Sequence, residues 1–127
     1  MTPGTDKKKI FVIDDEEDMT ILVGTLLGYR GFEVLSSNEP EKAMGRLLDE
    51  SVDAIIVDLM MPGLDGFSMI GRLRESPRHG ATPIIVLSSK LLDDAERKSL
   101  LLSKVRYVPK PVSPVQLVRM VRETLGV

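Results

Sequence analysis

The chain has 127 residues, which are enough for one domain and too few for two. Its 43% hydrophobic and 28% charged residues are typical of a globular protein that buries a core. The 17 basic and 19 acidic residues leave a formal charge of −2, so the composition offers no general basic surface for nucleic acid or an anionic membrane. The chain has no cysteine, which excludes disulfides, zinc–thiolate sites and thiol catalysis.

No apolar run approaches the roughly 20 residues that a membrane-spanning helix needs, and the polar start of the chain lacks the apolar stretch of a signal peptide. We therefore predict a cytoplasmic protein that neither spans a membrane nor binds nucleic acid directly. Residues 1–8 are predicted to be a flexible polar tail, and the lysine run 7–9 at its end is predicted to aid solubility. Residues 9–127 are predicted to be one domain.

Five short apolar runs alternate with stretches of helical periodicity. The predicted strands are, in chain order, Ile10–Ile13, Phe32–Leu35, Ala54–Val57, Ile84–Leu87 and Val105–Val108. The first, third and fourth are apolar throughout, as strands buried on both faces are, and the single charges in the second and fifth favour the edges. This pattern predicts an α/β fold with a doubly wound, five-stranded parallel sheet in the flavodoxin-like order 2-1-3-4-5.

The helices between the strands are predicted from apolar side chains that recur at helical spacing. The inward-facing residues predicted for the first helix are Met19, Leu22, Val23 and Leu26, and those predicted for the fourth are Leu92, Ala95 and Leu102. Asn38 and Ser113 each stand shortly before a proline and are predicted to be N-caps.

A sheet of this order has its switch point between strands one and three, and ligands bind where those strands end. Asp14 and Asp15 follow the first strand and Asp58 follows the third, so their carboxylates should converge in one crevice. Left unpaired, three carboxylates repel one another, and a hard cation such as Mg²⁺ relieves that repulsion. Acidic residues also favour a helix N-terminus, and we prefer that interpretation for Glu16 and the two acidic residues after it.

Two further polar residues, Ser88 and Lys110, follow the fourth and fifth strands. With them, the chain resembles the receiver domains of two-component response regulators, whose fold is like that of the chemotaxis regulators. The matching segments, in the family's order and spacing, are Asp14-Asp15, Asp58–Gly66, Pro83–Ser88 and Tyr107–Pro111. They span nearly the whole chain, and the resemblance depends on the presence of all four in register.

The resemblance implies that Asp58 is the nucleophile that takes a phosphoryl group from the phosphohistidine of a histidine kinase or phosphotransfer protein. It implies Mg²⁺ as the cofactor, with Asp15, Asp58 and the backbone carbonyl of Met60 as direct ligands. Asp14 would assist through a water molecule. Lys110 would offset the charge of the phosphoryl group, and the family's commonly cis Lys–Pro bond would aim it inward.

The resemblance also implies a switch. Ser88 would donate a hydrogen bond to the attached phosphoryl group, and Tyr107 would turn inward behind it. This change would alter the face of helix 4, strand 5 and helix 5, where receivers form homodimers or dock a downstream protein or output domain. The chain is thus expected to be a signalling module that catalyses only its own aspartyl phosphorylation and dephosphorylation.

Two departures from the family pattern bear on these roles. Ser89 stands where the family usually has alanine, so water access to the acyl phosphate is expected to differ. The usual Gly-Ala turn before strand five is replaced by a segment with leucines at 100–102, which fan across about 200° of a helix. Either that helix ends early and buries them, or a leucine is exposed on the partner face. His79, the only histidine, is predicted to have no role.

The main alternative is a receiver-like binding module that acts without phosphorylation. The absence of Asp15, Asp58 or Lys110 would favour it, and all three are present. A haloacid-dehalogenase-type phosphatase needs an aspartate two residues after the nucleophile, where this chain has Met60. A flavin protein of this sheet order needs a hydroxyl- and glycine-rich loop after strand one to bind the phosphate, which the acidic side chains of residues 14–16 would repel. Since the chain ends about where the fifth helix should end, we expect either a single-domain regulator or the receiver part of a longer chain.

Overall fold

The computed structural model describes residues 7–127, in which five strands alternate with five helices. The strands are β1 (Lys9–Ile13), β2 (Glu33–Ser37), β3 (Ala54–Val57), β4 (Ile84–Ser88) and β5 (Arg106–Pro109). The helices are α1 (Glu17–Tyr29), α2 (Pro40–Asp49), α3 (Gly66–Glu75), α4 (Asp94–Leu102) and α5 (Pro114–Leu125). Most of the predicted tail 1–8 lies outside the described residues. Within them, no helix is both long enough and apolar enough to cross a membrane.

All strands are parallel and lie in the order β2-β1-β3-β4-β5, which confirms the predicted doubly wound fold. β2 and β5 form the edges, as their single charges predicted. In the pairing of β1 with β3, Ile13 lies opposite Val57. The residues that follow them, Asp14 and Asp58, therefore leave the sheet at neighbouring positions.

Alternate side chains of the central strands supply two hydrophobic clusters, one on each face of the sheet. Phe11 and Ile13 of β1 enter the cluster that α2, α3 and α4 cover. Ile10 and Val12 enter the cluster that α1 and α5 cover. These four side chains are at most 1% exposed, and burial of apolar area stabilises the fold by about 25 cal/mol per Å². The sheet is thus a firm platform for the residues at its ends.

The predicted inward faces are wrong at one position of α1 and over most of α4. Leu22 is 59% exposed, because a helix covers the sheet with a stripe of limited width and further apolar residues flank that stripe. In α4, Ala95 is exposed and Leu102 is 74% exposed, whereas Leu100 is buried. Leu92 lies before the first residue of α4, so it does not indicate which face of that helix points toward the sheet.

One of the two predicted N-caps is wrong. Ser113 caps α5, and its hydroxyl accepts the N–H of Gln116. The residue that precedes α2 is Glu39, not Asn38. The amide of Asn38 instead donates to the carbonyl oxygen of Asp14 and to the hydroxyl of Thr20, both at 2.9 Å. Asn38 therefore links the end of β2 to the start of α1.

β1 begins one residue earlier than predicted, so Lys9 belongs to the strand and not to the solubilising lysine run. Its ammonium lies 4.0 Å from the carboxylate of Glu33 and 3.9 Å from that of Glu50. The two edge strands each begin one residue later than predicted, although Phe32, just before β2, is buried.

His79 has a structural role, which corrects the prediction that it has none. The side chain is fully buried, Nε2 contacts the carbonyl oxygen of Leu47, and Nδ1 lies 3.1 Å from the hydroxyl of Thr82. A carbonyl oxygen only accepts hydrogen bonds, so Nε2 carries a hydrogen. The ring thereby ties the end of α2 to the loop that precedes β4.

Candidate functional site

Asp14 and Asp58 stand next to each other at the carboxyl ends of β1 and β3. Their residues are 3% and 6% exposed. The N–H of Asp58 donates to the carbonyl of Ile13 at 3.1 Å, so the bonding between the two strands extends to the site itself. Carboxylates this deeply buried need hydrogen bonds or an opposite charge.

Lys110 supplies that charge from the end of β5. Its N–H donates to the carbonyl of Ser88 at 2.9 Å, and the Lys110–Pro111 peptide bond is cis. Nζ lies 2.9 Å from Oδ2 of Asp14 and 3.3 Å from Oδ2 of Asp58, and the lysine side chain is 9% exposed. The structure thus brings together three predicted site residues from the ends of three strands.

Burial and the neighbouring charges shift the pKa of Asp14, and that of Lys110, in opposite directions. Burial raises the pKa of the Asp14 carboxyl, and the hydrogen bonds from Lys110 and from the N–H of Glu16 offset that effect only in part. For Lys110, burial alone would lower the pKa, but the hydrogen bonds and charges of Asp14 and Asp58 outweigh it. The pKa of the ammonium is therefore raised. Lys110 is the firmly charged member of the pair.

Three acidic side chains form a group that could hold a metal ion. Carboxylate oxygens of Asp14, Glu16 and Asp58 lie within 4.8 Å of one another. Mg²⁺ binds through one or two carboxylates together with waters and phosphate oxygens, so this set of oxygen donors fits it. Asp15, predicted as a direct ligand, is exposed and does not belong to the group.

Glu16 is the member of the group that the sequence interpretation missed. It stands just before α1 as its N-cap, without a capping hydrogen bond from its side chain. Its N–H donates to Oδ1 of Asp14 at 2.9 Å, and its carboxylate lies 3.8 Å from Nζ of Lys110. The sequence feature that could have indicated Glu16 is its position two residues after Asp14, where the aspartate side chain can accept the backbone N–H and form a turn.

The loop after β3 orients Asp58. The N–H of Met60, itself 56% exposed, donates to Oδ1 of Asp58 at 3.1 Å. At Gly66, a Cβ atom would lie 2.6 Å from Cα of Leu59 and 2.7 Å from the carbonyl oxygen of Asp58. The first turn of α3 therefore rests directly on the backbone that carries Asp58, and only glycine fits there.

The side chains of Ser88 and Tyr107, the predicted switch residues, both bond to the backbone of one residue, Lys90. Ser88 is fully buried, and its hydroxyl oxygen accepts the N–H of Lys90 at 3.2 Å. The hydroxyl of Tyr107 donates to the carbonyl of Lys90 at 2.7 Å, with the ring half-buried. The two side chains thus hold the same peptide segment between β4 and α4.

The leucine run at the end of α4 divides between core and surface. Leu100 is buried, whereas Leu101 is 77% exposed and Leu102 is 74% exposed. The second and third leucines are therefore exposed, as the second interpretation predicted, although Leu102 lies beside Arg74, Gly80 and Pro83. A 3.0 Å ion pair between Arg106 and Glu123 joins β5 to α5.

A family model described as the response regulator receiver domain matches residues 10–122. The chain therefore belongs to the family of response regulator receiver domains, the signalling modules of two-component systems. The transcriptional regulatory protein CpxR of Klebsiella pneumoniae is 35% identical over 117 residues, which are 92% of this chain and 49% of that protein. The chain spans about half the length of most of these relatives, but 87% of an uncharacterised 14.6 kDa protein of Leptolyngbya boryana that is 32% identical over 114 residues, or 90% of this chain.

Solved structures share the fold. Chemotaxis protein CheY4 of Vibrio cholerae has a TM-score of 0.86 at 22% identity, with 94% of this chain and 99% of that chain covered. The receiver domain of sensor histidine kinase PA1611 from Pseudomonas aeruginosa, solved with a magnesium ion in its active site cleft, has a TM-score of 0.84 at 24% identity. That match covers 95% of this chain and 99% of that chain.

Proposed function

We propose that Asp58 accepts a phosphoryl group from the phosphohistidine of a histidine kinase or phosphotransfer protein, and that Mg²⁺ is required. One observation carries the proposal. The buried carboxylate of Asp58 shares a single lysine ammonium with two other carboxylates. An ion pair that only stabilised the fold would need one carboxylate for one lysine, whereas this excess of negative charge suits a divalent cation. The magnesium in the PA1611 receiver supports this interpretation.

In the proposed step, an oxygen of Asp58 attacks the phosphorus of phosphohistidine. The P–O bond forms as the P–N bond breaks, and the electron pair of the P–N bond stays on the imidazole nitrogen, which takes up a proton. Repulsion between the carboxylate and the phosphoryl oxygens opposes this attack. The ammonium of Lys110 offsets that repulsion, and the N–H of Met60 holds the carboxylate in one orientation.

When bound, Mg²⁺ would neutralise charge and align the phosphoryl oxygens. Its proposed direct ligands are Asp58, the backbone carbonyl of Met60 and, as the family resemblance implies, Asp15. Asp14 is proposed to act through water. Glu16 adds a carboxylate whose oxygen lies near those of Asp14 and Asp58, and we include it among the residues that hold the ion.

Phosphorylation is proposed to be read out through Ser88 and Tyr107. Ser88 would donate its hydroxyl hydrogen to the phosphoryl group. The change would reach α4 and β5 through Lys90, whose backbone contacts the side chains of both Ser88 and Tyr107. Leu101 and Leu102 add exposed apolar surface at the C-terminal end of α4. A downstream protein, an output domain or a second copy of the chain is the proposed partner at the α4–β5–α5 face.

Incubation with acetyl phosphate and Mg²⁺, followed by intact-mass measurement, tests the proposal. We expect one added phosphoryl group on the wild type and on Asp49→Asn, an exposed control at the end of α2. We expect none on Asp58→Ala and none when EDTA is present. Failure of the wild type to gain mass would overturn the proposal and favour a receiver-like module that binds partners without phosphorylation.

A further inference from the structure

The loop between β4 and α4 is held at three points of one residue, Lys90. Its N–H donates to the hydroxyl oxygen of Ser88 at 3.2 Å, and its carbonyl accepts the hydroxyl of Tyr107 at 2.7 Å. Its ammonium lies 3.3 Å from Oε2 of Glu96 in the first turn of α4. Lys90 therefore connects the buried hydroxyl at the end of β4, the aromatic ring of β5 and the helix of the proposed partner face.

Glu96 uses its two carboxylate oxygens separately. Oε1 accepts the N–H of Asp93 at 3.0 Å, and the side chain of Asp93 accepts the N–H of Glu96 at 2.7 Å, which completes a capping box. Oε2 is left to face Lys90. The two paired side chains are 34% and 25% exposed, so the pair is partly shielded from solvent. Because the cap already orders Glu96, forming the pair costs less side-chain entropy.

The two ends of α4 are anchored differently. Near its C-terminal end, Leu100 is buried in the core, and the guanidinium of Arg74 donates to the carbonyls of Ser103 at 2.8 Å and Lys104 at 3.4 Å. At its N-terminal end, the capping box and the ion pair with Lys90 provide the polar anchors. A change in the loop would therefore reach α4 first at the end that faces the phosphorylation site.

We propose that the Lys90–Glu96 ion pair is a latch that holds the β4–α4 loop, and with it Ser88 and Tyr107, against α4. The inference rests on the proposed function, because Ser88 matters to the reaction only if Asp58 carries a phosphoryl group. The hydroxyl oxygen of Ser88 accepts from Lys90, and its hydrogen has no acceptor among residues 7–127. The closed latch keeps that hydrogen free for a phosphoryl oxygen. Lys90 is thus a positioning residue.

The chain provides its own optical reporter for the latch. It has two tyrosines and no tryptophan, and Tyr29 is 88% exposed. In a Tyr29→Phe background, all tyrosine fluorescence comes from Tyr107, whose hydroxyl is bonded to the latch segment. Acrylamide quenching of that fluorescence reports how well the loop covers the ring, without any ligand.

Four variants isolate the ion pair. Lys90→Gln removes the cation, and Lys90→Arg keeps it. Glu96→Gln removes the charge but keeps an oxygen that can accept the N–H of Asp93, so the capping box is retained. Lys98→Gln removes an exposed lysine from the same helix and is the matched control.

We expect Lys90→Gln and Glu96→Gln each to raise quenching of Tyr107. Each should slow labelling by acetyl phosphate and Mg²⁺ about two- to fivefold, the range for one partly exposed ion pair. The double variant should change no more than either single variant, because both remove the same interaction. Lys90→Arg should behave as the wild type, as should Lys98→Gln.

Several outcomes would overturn the latch. These are unchanged quenching in Lys90→Gln and Glu96→Gln, additive effects of the two, or an equal effect of Lys98→Gln. A change in quenching without a change in labelling would overturn the positioning role of Lys90. If the wild type gains no phosphoryl group at all, the proposed function fails, and the quenching measured without ligand still tests the latch as a structural device.

Discussion

Nζ of Lys110 lies 2.9 Å from Oδ2 of Asp14, a contact between residues 96 positions apart in the chain. The contact joins the ends of β1 and β5, which are not neighbours in the sheet. It leaves Asp58 as the second partner of the same ammonium, at 3.3 Å. The lysine therefore holds together the negative charges that the proposed chemistry needs.

Replacing Lys110 should weaken both the fold and the reaction. In Lys110→Ala, Asp14 and Asp58 lose their common cation, so we expect the free energy of unfolding to fall by about 1–3 kcal/mol. Urea unfolding in EDTA measures this change, and labelling by acetyl phosphate should also slow. Lys42→Ala breaks an exposed ion pair with Glu39 and is the control. A loss of stability no larger than that of the control would contradict the prediction.

The stability of the fold should depend on pH through Asp14. Burial raises the pKa of this carboxyl above its ordinary value of 3.8, so the folded protein keeps the proton to higher pH than the unfolded chain does. The protonated carboxyl therefore stabilises the fold at low pH, and this contribution to the free energy of unfolding is lost as pH rises from 3.8 through the higher pKa of the folded state. The amide that replaces the carboxyl in Asp14→Asn does not titrate, so this variant should become more stable relative to the wild type as pH rises.

Urea unfolding without metal, at several values between about pH 4 and pH 7, measures this difference. Asp18→Asn, at an exposed position in the first turn of α1, is the control with which the trend is compared. A relative stability of Asp14→Asn that falls with rising pH would show that the ion pair with Lys110 outweighs burial.

Glu16 should contribute to magnesium affinity. Its carboxylate is 68% exposed, and a unit charge about 4 Å away in water contributes about 1 kcal/mol, so we expect Glu16→Gln to weaken binding about fivefold. Calorimetric titration with Mg²⁺ measures the affinity. Glu17→Gln, in the adjacent first turn of α1, is the control. Comparison with Asp15→Asn ranks the two acidic side chains, and an affinity of Glu16→Gln equal to that of the control would remove Glu16 from the site.

A methyl group at Gly66 should disturb the backbone that carries Asp58. The new Cβ would meet the backbone of Leu59 and Asp58, which cannot move aside as a flexible side chain would. We expect Gly66→Ala to cost about 1–3 kcal/mol and to slow labelling. Gly71→Ala, in the same helix with open space around it, should stabilise the protein by about 0.5–1 kcal/mol. Equal effects of the two substitutions in urea unfolding would refute the proposed contact.

His79 should matter for stability and not for phosphorylation. His79→Ala leaves a cavity and an unpaired carbonyl at Leu47, so we expect a loss of about 2–4 kcal/mol in urea unfolding. His79→Gln, which can still donate to that carbonyl, should lose less. Labelling measured under conditions where each variant is folded should match the wild type. A labelling defect in folded His79→Gln would instead give the residue a part in the reaction.

Much of the fold could be predicted because it follows from local patterns and general rules of topology. Apolar runs marked the strands, and the charges in β2 and β5 marked the edges. The positions of strand ends predicted that Asp14, Asp15 and Asp58 converge, which the structure shows for Asp14 and Asp58, and the family resemblance added Lys110. The faces of α1 and α4 could not be read in the same way. Periodicity shows which residues are apolar, whereas the point where a helix begins decides which of them face the sheet.

The sequence by itself therefore determined the sheet order and which residues follow the strands at the candidate site, because a strand's end and its neighbours follow from chain order and burial. Only the tertiary structure decided that Glu16 joins Asp14 and Asp58, that Asp15 is exposed, and that Lys90 connects Ser88, Tyr107 and α4. These relationships combine local bonds, such as the one from Glu16 to Asp14, with contacts between residues far apart in the chain, such as that of Tyr107 with Lys90. The distant contacts form only after the strands and helices have packed, so a local pattern does not encode them.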